Sequence, residues 1–341
     1  MPDTNAATVA AIGERGLIDR IRAHAGSPPS WVTIGIGDDA AVLEPERGAL
    51  EVVTTDSLIE DVHFRRAWTA PEAVGAKAVA VNFSDLAAMG AAPRAVLLSL
   101  ALPPTLPLDD FDRLIEGVVT AAAAESACLV GGNLSRSPGP LFVDVTAMGS
   151  VRRRRALTRA GGRAGDELYV TGSVGGAAVG LAVLAAGLDR SGLDDALREC
   201  VGRHERPVAR VRIGRTVAAH RAATAAIDLS DGLAAAVTQL AEASGIGAIV
   251  DAAAIPVDLG ARAWHQRTGA DPVLAALTGG EDYELLFAVP PRRRRAFLAA
   301  IAKAGRLACT KIGQLTKDAG VRLECGGRME RMPEGFSHYA R

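Results

Sequence analysis

The sequence predicts a mixed α/β protein in two domains, and three observations carry that expectation. Apolar, β-branched runs alternate with Ala/Leu-rich stretches along the whole chain. Its 341 residues suffice for two domains of roughly 150 residues each. A basic, glycine-rich stretch, Arg152–Arg155 followed by Gly161, Gly162 and Gly165, marks a boundary, assigning residues 1–151 to an N-terminal domain and 152–341 to a C-terminal one. In chain order, helices are expected at Leu17–Ala25, Pro71–Met89 and Asp109–Ser126, the last opened by acids that suit a helix N-terminus. Around them run strands at Trp31–Ile36, Leu50–Thr54, Val96–Leu102, Cys128–Val130 and Leu141–Ser150. The second half resumes with a strand at Glu167–Thr171 and a helix at Gly176–Ala186. Later strands are expected at Ile246–Asp251, Tyr283–Val289 and Val321–Glu324, with Pro290–Arg295 as a second exposed turn. The run Arg152–Arg155 suits either a phosphate grip or a solvated linker face.

With 49% apolar and 23% charged residues, the chain can bury real cores, which excludes a disordered protein. A net charge of −1 lacks the basic surplus of a dedicated nucleic-acid or membrane-surface protein. No apolar stretch reaches the ~20 residues of a membrane span, and Ala95–Pro104 is too short. The polar opening lacks the apolar centre of a signal peptide. Cys128, Cys200, Cys309 and Cys325 form no CxxC pair, so reduced thiols and a cytoplasmic location are expected.

The carboxylates carry the chemistry. They recur beside Gly, Ser or Thr in Gly37-Asp38-Asp39, Thr54-Thr55-Asp56, Asn82-Phe83-Ser84-Asp85, Asp228-Leu229-Ser230-Asp231-Gly232 and Gly279-Gly280-Glu281-Asp282. One such segment is an ordinary cap or turn. Five, each read as the end of an apolar strand, repel one another unless a cation joins them, and Mg²⁺ is the hard ion that takes oxygen ligands. Other phosphate readers fail: none of Lys77, Lys303, Lys311 or Lys317 follows a glycine, which excludes a P-loop. Gly35-Ile36-Gly37-Asp38-Asp39-Ala40 matches GxGxxA, but two adjacent acids would face a pyrophosphate. Histidines without HExxH spacing exclude a familiar zinc site, and no GxSxG elbow is present.

Gly35-Ile-Gly-Asp-Asp-Ala-Ala-Val42, Thr54-Thr-Asp-Ser57 with His63, and Ala80-Val-Asn-Phe-Ser-Asp-Leu-Ala-Ala-Met-Gly90 resemble successive motifs of the thiamine-monophosphate kinases. So do Arg155-Ala-Leu-Thr-Arg159, Ile227-Asp-Leu-Ser-Asp-Gly-Leu233 and Gly279-Gly-Glu-Asp-Tyr-Glu284, and the ends Gly13-Glu-Arg-Gly-Leu-Ile18 and Gly335-Phe-Ser-His-Tyr339. The resemblance runs nearly the whole chain in order. It implies an aminoimidazole ribonucleotide synthetase-like fold: an N-terminal α/β domain whose mixed sheet pairs across a homodimer, and a C-terminal α+β domain. The implied reaction moves the γ-phosphoryl group of ATP in line onto thiamine monophosphate, with several Mg²⁺ ions and no protein nucleophile. Carried over residue by residue, the metal positions are Asp39, Thr54, Thr55, Asp56, Asp85, Asn133, Asp228 and Asp231. Gly132, Asn133, Arg159 and Ser230 fall on the nucleotide side; His63, Glu281 and Phe336 fall on the substrate side. A Phe336 ring can stack on thiamine or close a core. Asn133 departs from the family's usual Gly-Gly-Asp, keeping a carbonyl oxygen but losing a charge. A sister enzyme that forms an amidine in purine synthesis, or a non-catalytic nucleotide-binding regulator, remains open; residues 1–34 lack the Cys and Lys expected of selenophosphate synthetase, and Tyr339-Ala340-Arg341 lacks the terminal cysteine expected of the hydrogenase-maturation enzyme.

Overall fold

The computed structural model describes residues 7–336, and the chain divides into two compact units. One holds the described residues up to Leu86 together with Ala92–Arg153; the other holds Ala87–Ala91 and the chain from Arg154 on.

The first unit runs α1 (Val9–Ala25), β1 (Val32–Ile34), β2 (Val42–Leu43), β3 (Ala49–Ile59), α2 (Pro71–Ala88), β4 (Ala92–Leu102), α3 (Leu108–Ala124), β5 (Cys128–Arg136) and β6 (Phe142–Arg152). Its main sheet has the order β3-β6-β4-β5, antiparallel except for the β4–β5 pair. Strand alternation splits this sheet into two unlike faces. On one, Leu98, Leu100, Val143, Val145 and Ala147 are buried with Phe83 and Leu86 of α2 and Phe111, Leu114 and Ile115 of α3. On the other lie Thr55, Ser57, Leu97, Ser99, Asp144, Thr146 and Met148, half-buried or exposed. The two helices cross backbone to backbone: a Cβ on Gly75 would sit 2.1 Å from the Leu114 carbonyl oxygen, and one on Gly117 would sit 2.1 Å from that of Glu72.

The second unit runs β7 (Glu167–Thr171), α4 (Gly176–Ala185), α5 (Asp195–Glu205), α6 (Val211–His220), β8 (Ala225–Asp228), α7 (Leu233–Ala243), β9 (Gly247–Asp251), α8 (Leu259–Thr268), α9 (Pro272–Thr278), β10 (Leu285–Val289), α10 (Arg294–Ala304), β11 (Cys309–Thr316), β12 (Val321–Cys325) and β13 (Arg328–Arg331). Its seven-stranded sheet has the order β13-β12-β9-β11-β7-β10-β8. β7 and β10 are buried at every position, as central strands covered on both faces must be.

Three expectations need correction. The acidic segments do not all end strands: Asp56 lies inside β3 and Asp85 inside α2. The strand expected at Cys128–Val130 continues to Arg136, because Gly132 lets β5 approach β4 where a Cβ would lie 1.8 Å from the Leu98 carbonyl oxygen. Pro290–Arg295 is only in part a turn: Arg294 already opens α10, whose Phe297, Ala300, Ile301 and Ala304 form a buried helical stripe. Among the described residues, no helix is long and apolar enough to cross a membrane.

Candidate active site

In the second unit the expected residues gather at one end of the sheet. β8 delivers Asp228 at its last position, opposite Leu285 of β10. Beyond it the ladder continues between loops: Leu229 N donates to the Glu284 carbonyl at 2.9 Å, Tyr283 N to that of Leu229 at 2.9 Å, and Glu281 N to that of Ser230 at 2.7 Å. Phe336 N donates to the Asp231 carbonyl oxygen at 3.1 Å. Ser230, Asp231, Glu281 and Phe336 thus meet beside the start of α7, which follows Gly232. Arg159 lies toward the other end of α7: its Nη1 donates to Gln239 Oε1 at 2.8 Å, and its carbonyl accepts from Ser244 Oγ, beyond the last turn of that helix, at 3.3 Å. Phe336 is 54% exposed, which argues for a ring presented at the surface rather than one closing a core.

The loop carrying Glu281 stands on a buried ionic network. Glu281 and Tyr283 adopt left-handed φ values of 66° and 49°, a conformation that costs non-glycine residues energy and needs firm support. Glu284, wholly buried, accepts from Arg210 Nε at 2.8 Å and Nη2 at 2.5 Å and from Thr171 Oγ1 at 2.6 Å. Asp282 accepts from Gly175 N at 2.6 Å, Ala177 N at 3.2 Å and Arg203 Nη2 at 3.4 Å. Burial pushes the Asp282 carboxyl up to about 6, against the pull of Arg203 and those amides. Arg203 also pairs with Asp258 at 3.2 Å. These charges are the props that aim Glu281.

In the first unit the expected residues fall on both faces of the sheet. Thr54 Oγ1 donates to Asp85 Oδ2 at 2.5 Å, so strand and helix meet on the core side, and Asp56 shares that face of β3 by alternation. Thr55 faces the other way, its Oγ1 3.4 Å from Asp144 Oδ1 and 3.1 Å from Thr146 Oγ1. The sheet register lines up Ser57, Asp144, Ser99 and Asn133 across four strands. Asp144, Ser99 and Asn133 of that row line a cavity of about 1000 Å³, bordered also by Gly132, Asp38 and Asp39. His63 accepts from Ile59 N at 3.1 Å through Nδ1, and Lys77 Nζ holds the His63 carbonyl at 3.1 Å.

Two residues escaped the sequence reading. Asp144 is the one acid of β6, and an isolated carboxylate in a period-two pattern was the available signal. His204, buried on α5, puts Nδ1 2.9 Å from Glu281 Oε2, out of line for a hydrogen bond; nothing in its local sequence signals this. Among the described residues, no three His, Cys, Asp or Glu side chains form a ready-made metal group. The donors at the expected metal positions are nonetheless all oxygen, from carboxylates, hydroxyls and one amide. That set suits Mg²⁺, which is commonly bound through one or two carboxylates plus substrate phosphates.

Fold and site together define a two-domain protein of the AIR synthase related group. The model of that group's N-terminal domain matches residues 37–151, and that of its C-terminal domain matches residues 163–326. Within the group, the chain belongs to the thiamine-monophosphate kinase family. It is 40% identical to the thiamine-monophosphate kinase of Salmonella typhimurium, across 97% of this chain and 99% of that one. It superimposes on the crystal structure of thiamine-monophosphate kinase from Stenotrophomonas maltophilia with a TM-score of 0.80 and 38% identity, covering 90% of this chain and 95% of the other. A structure described as AaThiL complexed with AMPPCP and TMP matches with a TM-score of 0.77 and 33% identity, covering 98% and 100%.

Proposed function

We propose that this chain phosphorylates thiamine monophosphate, using ATP, to thiamine diphosphate. A non-bridging oxygen of the thiamine phosphate attacks the γ-phosphorus in line; that P–O bond forms as the bond to the β–γ bridging oxygen breaks, and ADP departs with the electron pair. The convergence of Asp228, Ser230, Asp231, Glu281 and Phe336 on one loop cluster carries the reading. It is supported by the family relationship and by the relative described with an ATP analogue and TMP. Such a transfer asks for positioning and charge neutralisation rather than a protein nucleophile. Mg²⁺, when bound, supplies the neutralisation at the phosphates. Asp39, Thr54, Thr55, Asp56, Asp85, Asn133, Asp228 and Asp231 are the residues assigned to hold it. Arg159 answers phosphate charge with a planar fork, and Ser230, Gly132 and Asn133 border the nucleotide. His63 and Glu281 orient the acceptor, and the exposed Phe336 ring offers a face for stacking.

The test is a product assay with ATP and thiamine monophosphate, resolving thiamine diphosphate and ADP. Free thiamine should be a poor acceptor, since the attacking group is the phosphate. ATP consumption that is equally fast without thiamine monophosphate would end this reading. A homodimer in the cytoplasm completes the proposal. β3 is an edge strand of eleven residues, with Leu50 and Val53 exposed on it, and unpaired edges of that kind invite pairing. Light scattering that finds a stable monomer at micromolar concentration would refute it.

A further inference from the structure

Two basic runs, Arg152–Arg155 and Arg292–Arg295, stand far apart in sequence and take no part in the proposed chemistry. The second unit brings Arg154 and Arg155 of the first run beside Arg292 and Arg293 of the second. Arg154, Arg155, Arg163, Arg221, Arg292 and Arg293 line one cavity of about 670 Å³, with Asp166 as the single lining carboxylate. This cavity shares no lining residue with the cluster of Asp228, Ser230, Asp231, Glu281 and Phe336.

Six guanidinium groups around one concavity repel one another unless something compensates them, and the protein compensates them little. Asp166 is already engaged by neutral donors, Arg163 N at 3.0 Å and Thr224 Oγ1 at 2.6 Å. Two of the arginines have structural work: Arg155 Nη1 donates to the Ala219 carbonyl at 2.6 Å and Arg293 Nη1 to that of Arg221 at 2.8 Å, both at the C-terminal end of α6, where cations suit the helix dipole. The side chains of Arg154, Arg163, Arg221 and Arg292 make no hydrogen bond or ion pair among the described residues. Elsewhere in the same unit, Arg203, Arg210 and Arg294 each hold a buried acid. The contrast sets the cavity apart from ordinary arginine use in this chain.

We propose that this arginine-lined cavity is a second anion site, separate from the reaction centre, that binds a diphosphate-bearing small molecule. Arginine is the side chain whose forked donors match phosphate oxygens bidentately. The volume suits one small ligand. A single phosphate cannot satisfy arginines contributed by four separate chain segments, whereas a diphosphate presents more charge and more oxygens over a greater span. A bounded cavity on a chain of net charge −1 also differs from the extended basic track that nucleic acid requires. The inference does not depend on the proposed reaction, and its test runs without divalent cation, where the acidic loops repel phosphates.

The experiment is calorimetric titration of the whole protein in EDTA with inorganic pyrophosphate, orthophosphate, ADP and thiamine diphosphate. Pyrophosphate should bind about tenfold or more tightly than orthophosphate, and weaken as salt is added. The variant Arg154→Ala/Arg163→Ala/Arg292→Ala, altering exposed side chains only, should keep its melting temperature and lose about tenfold or more in pyrophosphate affinity. The single variants Arg163→Ala and Arg292→Ala should each lose part of it, which keeps the test decisive if the triple variant folds poorly. For ADP and thiamine diphosphate, the part of the affinity that the triple variant loses identifies which organic group this site accepts beside the diphosphate. Equal binding of pyrophosphate by parent and variants, equal binding of orthophosphate and pyrophosphate, or tighter binding of a single-stranded oligonucleotide than of pyrophosphate would each overturn the proposal.

Discussion

Arg210→Ala tests whether the buried network supports the Glu281 loop. In the parent, Glu284 is wholly buried and holds two bonds from Arg210 and one from Thr171, with Arg203 Nη2 3.7 Å away. Removing one partner of a buried pair generally costs about 3–5 kcal/mol, because the remaining charge has no water to turn to. Arg203 and Thr171 stay in place, so the lower end, about 3 kcal/mol, is expected. For a unit of this size that corresponds to a fall in Tm of roughly 6–12 °C. Glu284→Gln in the Arg210→Ala background removes the stranded charge, so the two losses should be non-additive by about 1.5 kcal/mol or more. Urea denaturation of the parent, both single variants and the double variant closes this cycle. A loss below about 0.5 kcal/mol for Arg210→Ala, or strictly additive losses, would refute the reasoning, since surface-like substitutions behave that way.

Three further outcomes are expected. Arg294 and Lys311 hold the Glu167 carboxyl down to about 2 from its ordinary value of 4.5, so its stabilisation is present above that ordinary value and lost as pH falls toward 2. Both partner side chains are 48% exposed, so solvent screening cuts the contribution to about 1.5 kcal/mol; Glu167→Gln should lose that at about pH 7 and far less in acid, read by urea denaturation across pH. Asn133→Asp should lower the Mg²⁺ concentration for half-maximal rate, and Asp144→Asn should raise it, each by about fivefold, since a unit charge near 4 Å is worth ~1 kcal/mol even in water; superimposable titrations would remove both positions from the metal. Asp56→Asn, Asp85→Asn and Asp231→Asn should each lose about a hundredfold or more in activity while keeping the parent circular dichroism, as losses of charge stabilisation at reacting centres do, with Asp38→Asn as the control; equal unfolding of all four would make these carboxylates structural.

Much of this was legible in sequence, and the misses share a cause. The Asp-Leu-Ser-Asp-Gly segment could be placed because an apolar run visibly precedes it, and β8 does end at Asp228. Thr54 and Thr55 are neighbours in sequence, yet β3 sends them to opposite faces; adjacency does not report direction, strand period does. Two glycines after Val130 read as a stop, whereas Gly132 makes possible the close approach of two parallel strands. The start of α10 was obscured by two prolines and four arginines, although its apolar spacing was regular from Phe297 onward. The pairing of His204 with Glu281 joins α5 to a distant loop, and only tertiary packing creates it.

The crossing of α2 and α3 bears on how this protein can be improved. Stability engineering commonly replaces helical glycines with alanine, for a gain of up to about 1 kcal/mol each in helix propensity. At Gly75 and Gly117 that rule reverses, because each new methyl would run into a main-chain carbonyl that no rotamer change can clear. The helices would have to separate, and α2 would carry Asp85 away from Thr54. A design campaign guided by propensity alone would therefore disturb two of the proposed metal ligands from positions that bear no functional group, while its helical content looked unchanged.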